Sequence, residues 1–224
     1  MNFLSHFYFD RNTSNPELVL GCVLPDLVKN ANKSWNIHPE KQTHLFTNSQ
    51  KLCSILTGWK RHLEVDRYFH NSEFFIEHTQ SIRKKIAPIL DGSEVRPSFL
   101  AHISLELMLD SILLTLEEIN AFNFYDQLAR VERDAVKHFL ELNKVSDTGK
   151  FFRFFDQFLE VNYLHSYSES TNLIYALNRI CMRLWQDPLN NEQKFQLNGV
   201  LTDYQKTLEG SYMQIFEVLD RQLN

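Results

Sequence analysis

The sequence predicts an all-α protein, a single-domain multi-helix bundle over residues 1–224, and three observations support this prediction. The chain contains only 6 Gly and 6 Pro, which is few for an architecture of many strands joined by tight turns. Long segments rich in Leu, Phe, Glu, Lys and Gln repeat their apolar residues at helical spacing. No repeat, low-complexity tract or linker marks a domain boundary. The 18 Phe residues are suited to filling the wide gaps between packed helices.

Composition and charge argue against several classes of protein. Hydrophobic residues make up 43% and charged residues 23% of the chain, as in an ordinary globular protein. The net charge of −5 gives no general attraction to nucleic acid or to an anionic membrane, so neither is expected as a partner. The sequence shows neither a secretory leader nor a long uninterrupted apolar stretch. Cys22, Cys53 and Cys181 are odd in number and lie among apolar residues, which predicts reduced thiols and a cytoplasmic location.

The first 90 residues are predicted to contain several helices. Residues 2–10 form a short apolar helix that carries His6, and a second helix begins near Pro16, a residue suited to a first turn. Pro25 is expected to kink or end this second helix, so that Asp26 either caps the next turn or points into a site. The other predicted segments are a polar loop at 31–42, a helix at about 43–56, and a helix at 58–70 that continues towards residue 90.

The segment 97–120 is predicted to be the most buried helix, because it is apolar almost all round. Two narrow polar stripes interrupt it, one of His102, Glu106 and Asp110, the other of Ser104, Ser111 and Thr115. Buried carboxylates cost free energy unless they are paired, hydrogen-bonded or metal-bound, so the two acidic residues need an explanation. Beyond this helix, further helices are predicted at about 121–143, 149–163, 170–186 and 190–222, with Gly199 and Gly210 as expected bends in the last.

Two sets of metal-ligand side chains recur at helical spacing. His62, Asp66 and His70 lie four residues apart and therefore stack along one side of a helix, as do His102, Glu106 and Asp110. Imidazole and carboxylate bind first-row divalent ions, so two facing stripes would make a metal site inside a helical domain. The alternative for the first stripe is a solvated helix face that carries an Asp–His pair, since charged residues surround it. The apolar surroundings of the second stripe make a solvated face a poorer explanation there.

Motifs of other enzyme classes do not occur in the sequence. It has no GxGxxG, Walker, GxSxG or HExxH motif, and it lacks the two ExxH motifs of a di-iron bundle. Arg179 and Arg183 are four residues apart on a predicted helix, where they could pair with carboxylates or bind a phosphate.

Three motifs taken together resemble the acyl-carrier-protein phosphodiesterase family. They are MNFLSH at the start, GxxxxDLVK at Gly21–Lys29, and GxxxHxxVD at Gly58–Asp66. NLIYALNRICMRL also looks like a helix of that family, so the resemblance covers most of the chain at low identity. The family is similar to HD-type metal phosphohydrolases, which implies an HD-domain-like helical fold and a divalent metal, commonly manganese. Its reaction is hydrolysis of the phosphodiester that joins 4′-phosphopantetheine to a serine of acyl carrier protein.

The resemblance implies functional residues position by position. His6 ends the first motif, Asp26 is the aspartate of the second, and His62 and Asp66 are the histidine and aspartate of the third. Arg183 matches a basic residue near the C-terminal end.

The chain also departs from the family pattern at several positions. The usual His-Arg pair is His62-Leu63 here, and the aspartate expected after the third motif is His70. Cys22 replaces a typical asparagine, and the aspartate before the central histidine is Ala101, which leaves His102 with Glu106. Each lost carboxylate has a ligand-type residue nearby, so metal binding is still expected.

These considerations lead to an expected metal-dependent phosphodiesterase with acyl carrier protein as its partner. One or two Mn²⁺-like ions, with iron or zinc as alternatives, are expected on six ligands: His6, Asp26, His62, Asp66, His102 and Glu106. Asp66, His70 and Arg183 are the expected catalytic residues; His70 or Asp110 would orient ligands or carry a proton, and Arg183 or Lys29 would steady the phosphate. Lys60, Arg61 and Arg67 would form a basic rim for docking. Two alternatives stay open: a non-catalytic helical binding or scaffold protein, and an HD-like hydrolase of another phosphate ester.

Overall fold

The computed structural model describes residues 1–223, and every regular element in that range is helical. Within these residues, eleven α-helices, α1 to α11, follow in chain order: Phe3–Tyr8, Pro16–Ala31, Gln50–His70, Glu73–Ile86, Pro97–Thr115, Ala121–Ala129, Arg133–Leu142, Thr148–Val161, Ser170–Cys181, Asn191–Glu209 and Met213–Leu223. Short 3₁₀ segments lie at Pro39–Lys41, Thr43–Phe46 and Tyr163–Ser168. The prediction of an all-α multi-helix bundle is confirmed.

Helix α5 lies at the centre of the bundle, where α1, α4, α9 and α10 pack against it. Of the described residues, this is the one helix long and apolar enough to cross a membrane by length and composition. The rest of the protein buries 67% of that stretch, so its apolar surface is largely covered by neighbouring helices. The central position of α5 places Glu106 within reach of Met1, and both His102 and Glu106 within reach of His70 at the end of α3.

Helices α2 and α3 make the most extensive contact in the bundle, and two glycines allow their close approach. A Cβ atom on Gly21 would overlap the carbonyl oxygen of Ile55, and one on Gly58 would overlap the carbonyl oxygen of Leu18. Only glycine fits where two helix backbones come this close. The contact brings the next turn of α3, which carries His62, directly against the backbone of α2.

Buried apolar side chains form one continuous cluster that extends along the chain from Met1 to Leu219. The largest fully buried side chains are mostly phenylalanines, as expected from their number: Phe7, Phe46, Phe69, Phe124, Phe139, Phe151, Phe155 and Phe216. These rings fill the spaces between helices.

Several helix boundaries in the first half differ from those predicted. The segments predicted at 43–56 and 58–70 belong to the single helix α3, and the predicted continuation towards residue 90 is the separate helix α4. Pro25 lies inside α2, which continues to Ala31, because packing on α3 holds the helix together although one backbone donor is lost. The helix predicted at about 43–56 begins only at Gln50, where the side chain of Ser49 accepts a hydrogen bond from Leu52 N. Ser49 is an N-cap that the sequence pattern did not single out.

Four predicted helices after residue 97 are shorter or divided, and the one predicted at 170–186 ends at Cys181. Helix α5 ends at Thr115, five residues before the predicted end, and Glu117 follows with a φ of 57°. The helix predicted at 121–143 is divided into α6 and α7 at residues 130–132. The long last helix ends at Glu209, and Gly210, expected to bend it, instead separates α10 from α11.

Candidate metal centre

Helix α1 is held in place by a buried carboxylate on α5. Asp110 accepts hydrogen bonds from the backbone amides of Leu4 and Ser5 at 3.1 and 2.7 Å, and from the side chains of Asn2 and Ser5 at 2.9 and 2.6 Å. Burial raises the pKa of Asp110 to about 7 although these donors favour its charged form. The sequence suggested that Asp110 orients ligands or carries a proton; its hydrogen bonds instead cap the helix that presents His6.

His62 is oriented by the close contact between α2 and α3. Its Nδ1 lies 2.8 Å from the carbonyl oxygen of Cys22, and its Nε2 lies 3.4 Å from Asp66 Oδ2. A histidine that donates one N–H to a backbone carbonyl presents its other nitrogen in a fixed direction, as metal-binding histidines commonly do. Burial would lower the pKa of His62, but the charges of Asp26 and Asp66 outweigh it and raise that pKa.

His6 is buried against His62 with no hydrogen bond of its own. The two imidazole rings stack with centroids 3.9 Å apart at an interplanar angle of 16°. His6 Nε2 lies 3.3 Å from Asp66 Oδ1, yet neither ring nitrogen has a hydrogen-bond partner among the described residues. Burial and the neighbouring charge of His62 lower the pKa of His6 to about 3, so the ring is neutral and can act as a metal ligand.

His6, His62 and Asp66 therefore form a first group, whose ligand atoms all lie within 4.8 Å of one another. Asp66 is partly buried, which by itself raises its pKa, but its contacts with the two histidines hold that pKa well below the usual range. The predicted i,i+4 pair of His62 and Asp66 thus exists in the structure, and His6 is added to it from α1.

Asp26, also predicted as a ligand, lies outside this group but close to it. Its carboxylate makes no hydrogen bond or ion pair with any residue in 1–223, although its charge raises the pKa of His62. Burial raises the pKa of Asp26 itself, and His62 partly offsets that rise. An unpaired carboxylate beside the first group is available as a further oxygen ligand.

His70, His102 and Glu106 form a second group, between the end of α3 and the first half of α5. His70 Nε2 lies 3.2 Å from both His102 Nε2 and Glu106 Oε1, and His102 Nε2 lies 2.9 Å from Glu106 Oε1. Nearby charges hold the pKa of Glu106 below its usual range although burial raises it. The sequence placed His70 on one stripe with His62 and Asp66; the structure places it with His102 and Glu106 instead.

The amino group of Met1 lies between the two groups. Its nitrogen is 2.6 Å from Asp66 Oδ1 and 3.1 Å from Glu106 Oε1. Burial would lower the pKa of this ammonium, but Glu106 and Asp66 outweigh it and raise the pKa to about 10. The sequence reasoning missed this group, since a search for ligand side chains does not consider a backbone amine. The carboxylates of Asp66 and Glu106 both contact this amine, and their negative charges favour a cation there.

The predicted basic residues are only partly where they were expected. Arg183 is exposed and donates to Asn30 Oδ1 at 2.7 Å, and its contacts within residues 1–223 include neither ligand group. Arg183 and Asp26 both act on the pKa of Tyr163, which Arg183 lowers and Asp26 raises. Arg61, expected on a docking rim, is half-buried, and its Nε lies 3.5 Å from Asp10 Oδ2.

The chain matches no protein-family model, no curated protein and no solved structure. The family resemblance of the three motifs therefore has no support from comparison, and chemical inference rests on the geometry. Each of the two groups supplies two imidazoles and one carboxylate, a donor set typical of first-row divalent metals in proteins. An unpaired nitrogen of His6 and the cation already held at Asp66 and Glu106 both fit a metal ion.

Proposed function

We propose that this protein is a metal-dependent phosphodiester hydrolase of the kind that the acyl-carrier-protein phosphodiesterase family represents. The observation that carries the proposal is the state of His6. A fully buried imidazole whose two nitrogens lack hydrogen bonds costs about 1–3 kcal/mol of folding free energy. A divalent ion shared with His62 and Asp66 would coordinate one of these nitrogens and remove its part of that cost, and all three residues lie in the motifs that resemble the family.

The first group would hold the ion, and Asp26 is placed to add a further oxygen ligand. Such an ion, with manganese as the expected metal and iron or zinc as alternatives, would supply Lewis-acid polarisation of a phosphoryl oxygen and a water of lowered pKa. His102 and Glu106, the other two proposed ligands, lie in the second group on the far side of the Met1 amine.

The chain offers groups for the remaining steps of the hydrolysis. Arg183 and Lys29, near the C-terminal end of α2, would bind the phosphate, since a guanidinium can form two parallel hydrogen bonds to it. Asp66 would orient the reacting groups beside both histidines. His70, a half-exposed imidazole, would carry a proton between the site and solvent.

The proposed substrate is holo-acyl carrier protein, from which hydrolysis would release 4′-phosphopantetheine. Of the three residues proposed as a basic docking rim, Lys60 and Arg67 are exposed, while Arg61 is engaged by Asp10. The exposed pair would face an acidic partner. A cytoplasmic location is part of the same proposal.

One observation favours a non-catalytic helical binding or scaffold protein as a second candidate. The Met1 ammonium already neutralises the carboxylates of Asp66 and Glu106, so both are paired without a metal ion. If that were its role, the protein would show no metal requirement.

The test is metal analysis of the purified protein together with an assay of holo-acyl carrier protein by mass spectrometry. The wild type is expected to hold at least one ion per chain and to release phosphopantetheine only when metal is present. The His62→Gln variant should lose the first group's ion and lower the rate by about 100-fold or more. His138→Gln, at an exposed position on α7, is the matched control and should behave as the wild type.

Three outcomes separate the candidates. If the wild-type protein contains no metal and does not bind added Mn²⁺, the hydrolase proposal is rejected and the scaffold-protein proposal remains. A metal-loaded protein that cleaves other phosphate esters but not holo-acyl carrier protein retains the hydrolase and rejects the substrate. A metal-loaded protein without any hydrolytic activity rejects the reaction itself.

A further inference from the structure

The second group is built from two successive turns of α5 and the last residue of α3. His102 and Glu106 are one helical turn apart, and His70 reaches them from the end of α3. Their three ligand atoms form a triangle with edges of 2.9, 3.2 and 3.2 Å. The Met1 nitrogen also lies 3.1 Å from Glu106 Oε1.

Hydrogen bonding alone cannot satisfy this triangle. If both Nε2 atoms carry a proton, each can donate to Glu106, but two N–H groups then face each other at 3.2 Å. If one Nε2 is bare, its lone pair faces the lone pairs of the Glu106 oxygen instead. With Glu106 ionised, every choice of histidine tautomers therefore leaves at least one repulsive edge, whereas a cation among the three atoms makes all three contacts favourable.

The size of the triangle suits a first-row ion. Bonds of about 2.0–2.1 Å place neighbouring ligand atoms about 2.9 Å apart around an octahedral ion and about 3.3 Å apart around a tetrahedral one. The three observed edges fall within that range. Two imidazoles with one carboxylate favour zinc or iron over magnesium, calcium or manganese, which prefer oxygen ligands.

The second group is also more accessible than the first. The side chains of His70 and His102 are 31% and 39% exposed, whereas those of His6 and His62 are 1% and 4% exposed. An ion here would therefore keep an open position towards solvent, as catalytic zinc sites do. Phe75 holds both imidazoles in place, since its ring meets each edge-on with centroids 5.0 Å apart.

We propose that His70, His102 and Glu106 bind a divalent ion of their own, of the zinc type, separate from the ion of the first group. This makes His70 a direct metal ligand through Nε2, a role that replaces the one of proton carrier. The inference deepens the proposed function and rests on it for the first ion, because it adds a second and more accessible ion. Binding of this ion does not itself require that the protein hydrolyse a phosphodiester.

The test is equilibrium dialysis of the full-length protein against Zn²⁺, followed by Co²⁺ substitution and visible absorption spectra. The wild type is expected to bind two Zn²⁺ per chain. His70→Gln should lower the affinity for one ion by more than the roughly 10- to 100-fold lost with an outer-shell partner, and should remove that ion's Co²⁺ bands. His62→Gln should lose the other ion, and His138→Gln should lose neither. Far-UV circular dichroism checks that each variant is folded.

The outcomes distinguish this inference from the proposed hydrolase. If His70→Gln still binds two ions with unchanged affinity, or if His62→Gln loses both together, the second site is rejected, whatever the activity. If the wild type binds two ions that the two variants remove separately, the second site stands, even where holo-acyl carrier protein is not cleaved.

Discussion

At the scale of single residues, we expect the buried His6 side chain to lower the stability of the metal-free protein. Its ring is buried and its two nitrogens have no hydrogen-bond partner within residues 1–223. In metal-free protein, His6→Leu should therefore increase the free energy of unfolding by about 1–2 kcal/mol, because an unsatisfied polar group is replaced by an apolar one of similar size. The same variant should lose the first ion. Urea denaturation in the presence of a chelator measures the first effect, and metal analysis measures the second.

His62→Leu is the matched control for this prediction. It removes an imidazole from the same stack, but one whose Nδ1 lies 2.8 Å from the Cys22 carbonyl oxygen. Loss of that hydrogen bond should decrease the free energy of unfolding by about 1–3 kcal/mol. The two variants should thus differ in the sign of their effect on stability and agree in losing the ion. If His6→Leu instead decreases the free energy of unfolding, the His6 side chain stabilises the fold, and the argument that it is a metal ligand is contradicted.

Asp110 leads to a prediction about pH. Its pKa of about 7 in the folded protein is above the ordinary value of 3.8, so between these values the folded state binds a proton that the unfolded state lacks. The stability contributed by this group is present at low pH and is lost as the pH rises through 7. The free energy of unfolding of the wild type minus that of Asp110→Asn should therefore fall by about 2 kcal/mol between pH 5 and pH 8.

Denaturant unfolding at both pH values checks the prediction for Asp110. Asp203→Asn, at a position 80% exposed, is the control and should show no such change. An advantage of the wild type that grows with pH would mean that the hydrogen bonds from Leu4 and Ser5 hold Asp110 ionised down to low pH.

The site was predicted in part because some of its contacts are local. His62 and Asp66 are one turn apart on α3, so their spacing was sufficient to pair them. His70 is two turns from His62, and at 100° per residue its direction has rotated by about 80°, which is enough to aim it at α5. The pairing of His6 with His62 depends on how α1 packs, and spacing carries no information about that. The motif resemblance was the signal that included His6.

At the scale of helices, the contact of α2 with α3 determines where His62 lies. Gly58→Ala would push a methyl group into the Leu18 carbonyl, which neither backbone can avoid without moving. We expect it to decrease the free energy of unfolding by about 3 kcal/mol or more and to weaken metal binding, since His62 is one turn further along. Denaturant unfolding and metal titration measure the two effects.

Gly199 provides the control within the same protein. It lies on an exposed part of α10, and a Cβ atom there would have no neighbour within 4 Å. Gly199→Ala should therefore increase the free energy of unfolding by up to about 1 kcal/mol, because alanine restricts the unfolded chain and favours the helix. Equal effects of the two substitutions would contradict the close helix contact.

The sequence predicted which segments are helical more reliably than it predicted where each helix begins and ends. Apolar periodicity located most of the long helices, since burial of one face requires it, and α5 was found because it is apolar almost all round. The ends depend on local signals that periodicity does not contain, such as the Ser49 cap of α3 or the break at residues 130–132. Pro25 shows the opposite case, in which tertiary packing maintains a helix that a local rule would end.

At the scale of the whole molecule, both ligand groups are set in a single hydrophobic cluster. Apolar residues from Met1 to Leu219 pack continuously, and the ligands come from α1, α3 and α5 within it. Binding of an ion to the folded state should therefore stabilise the chain as one unit, because no ligand group belongs to a separate core.

Calorimetry with and without metal tests this expectation. At a free metal concentration of 100 Kd, one ion adds about 2.7 kcal/mol, which for a domain of this size corresponds to a rise in Tm of about 5–10 °C. We expect a single transition that moves to higher temperature with added Zn²⁺ or Mn²⁺. It should return to its original position with a chelator, and it should move less in His62→Gln than in His138→Gln. Two transitions, of which metal moves only one, would show that the helices outside α1–α5 unfold separately from the metal centre.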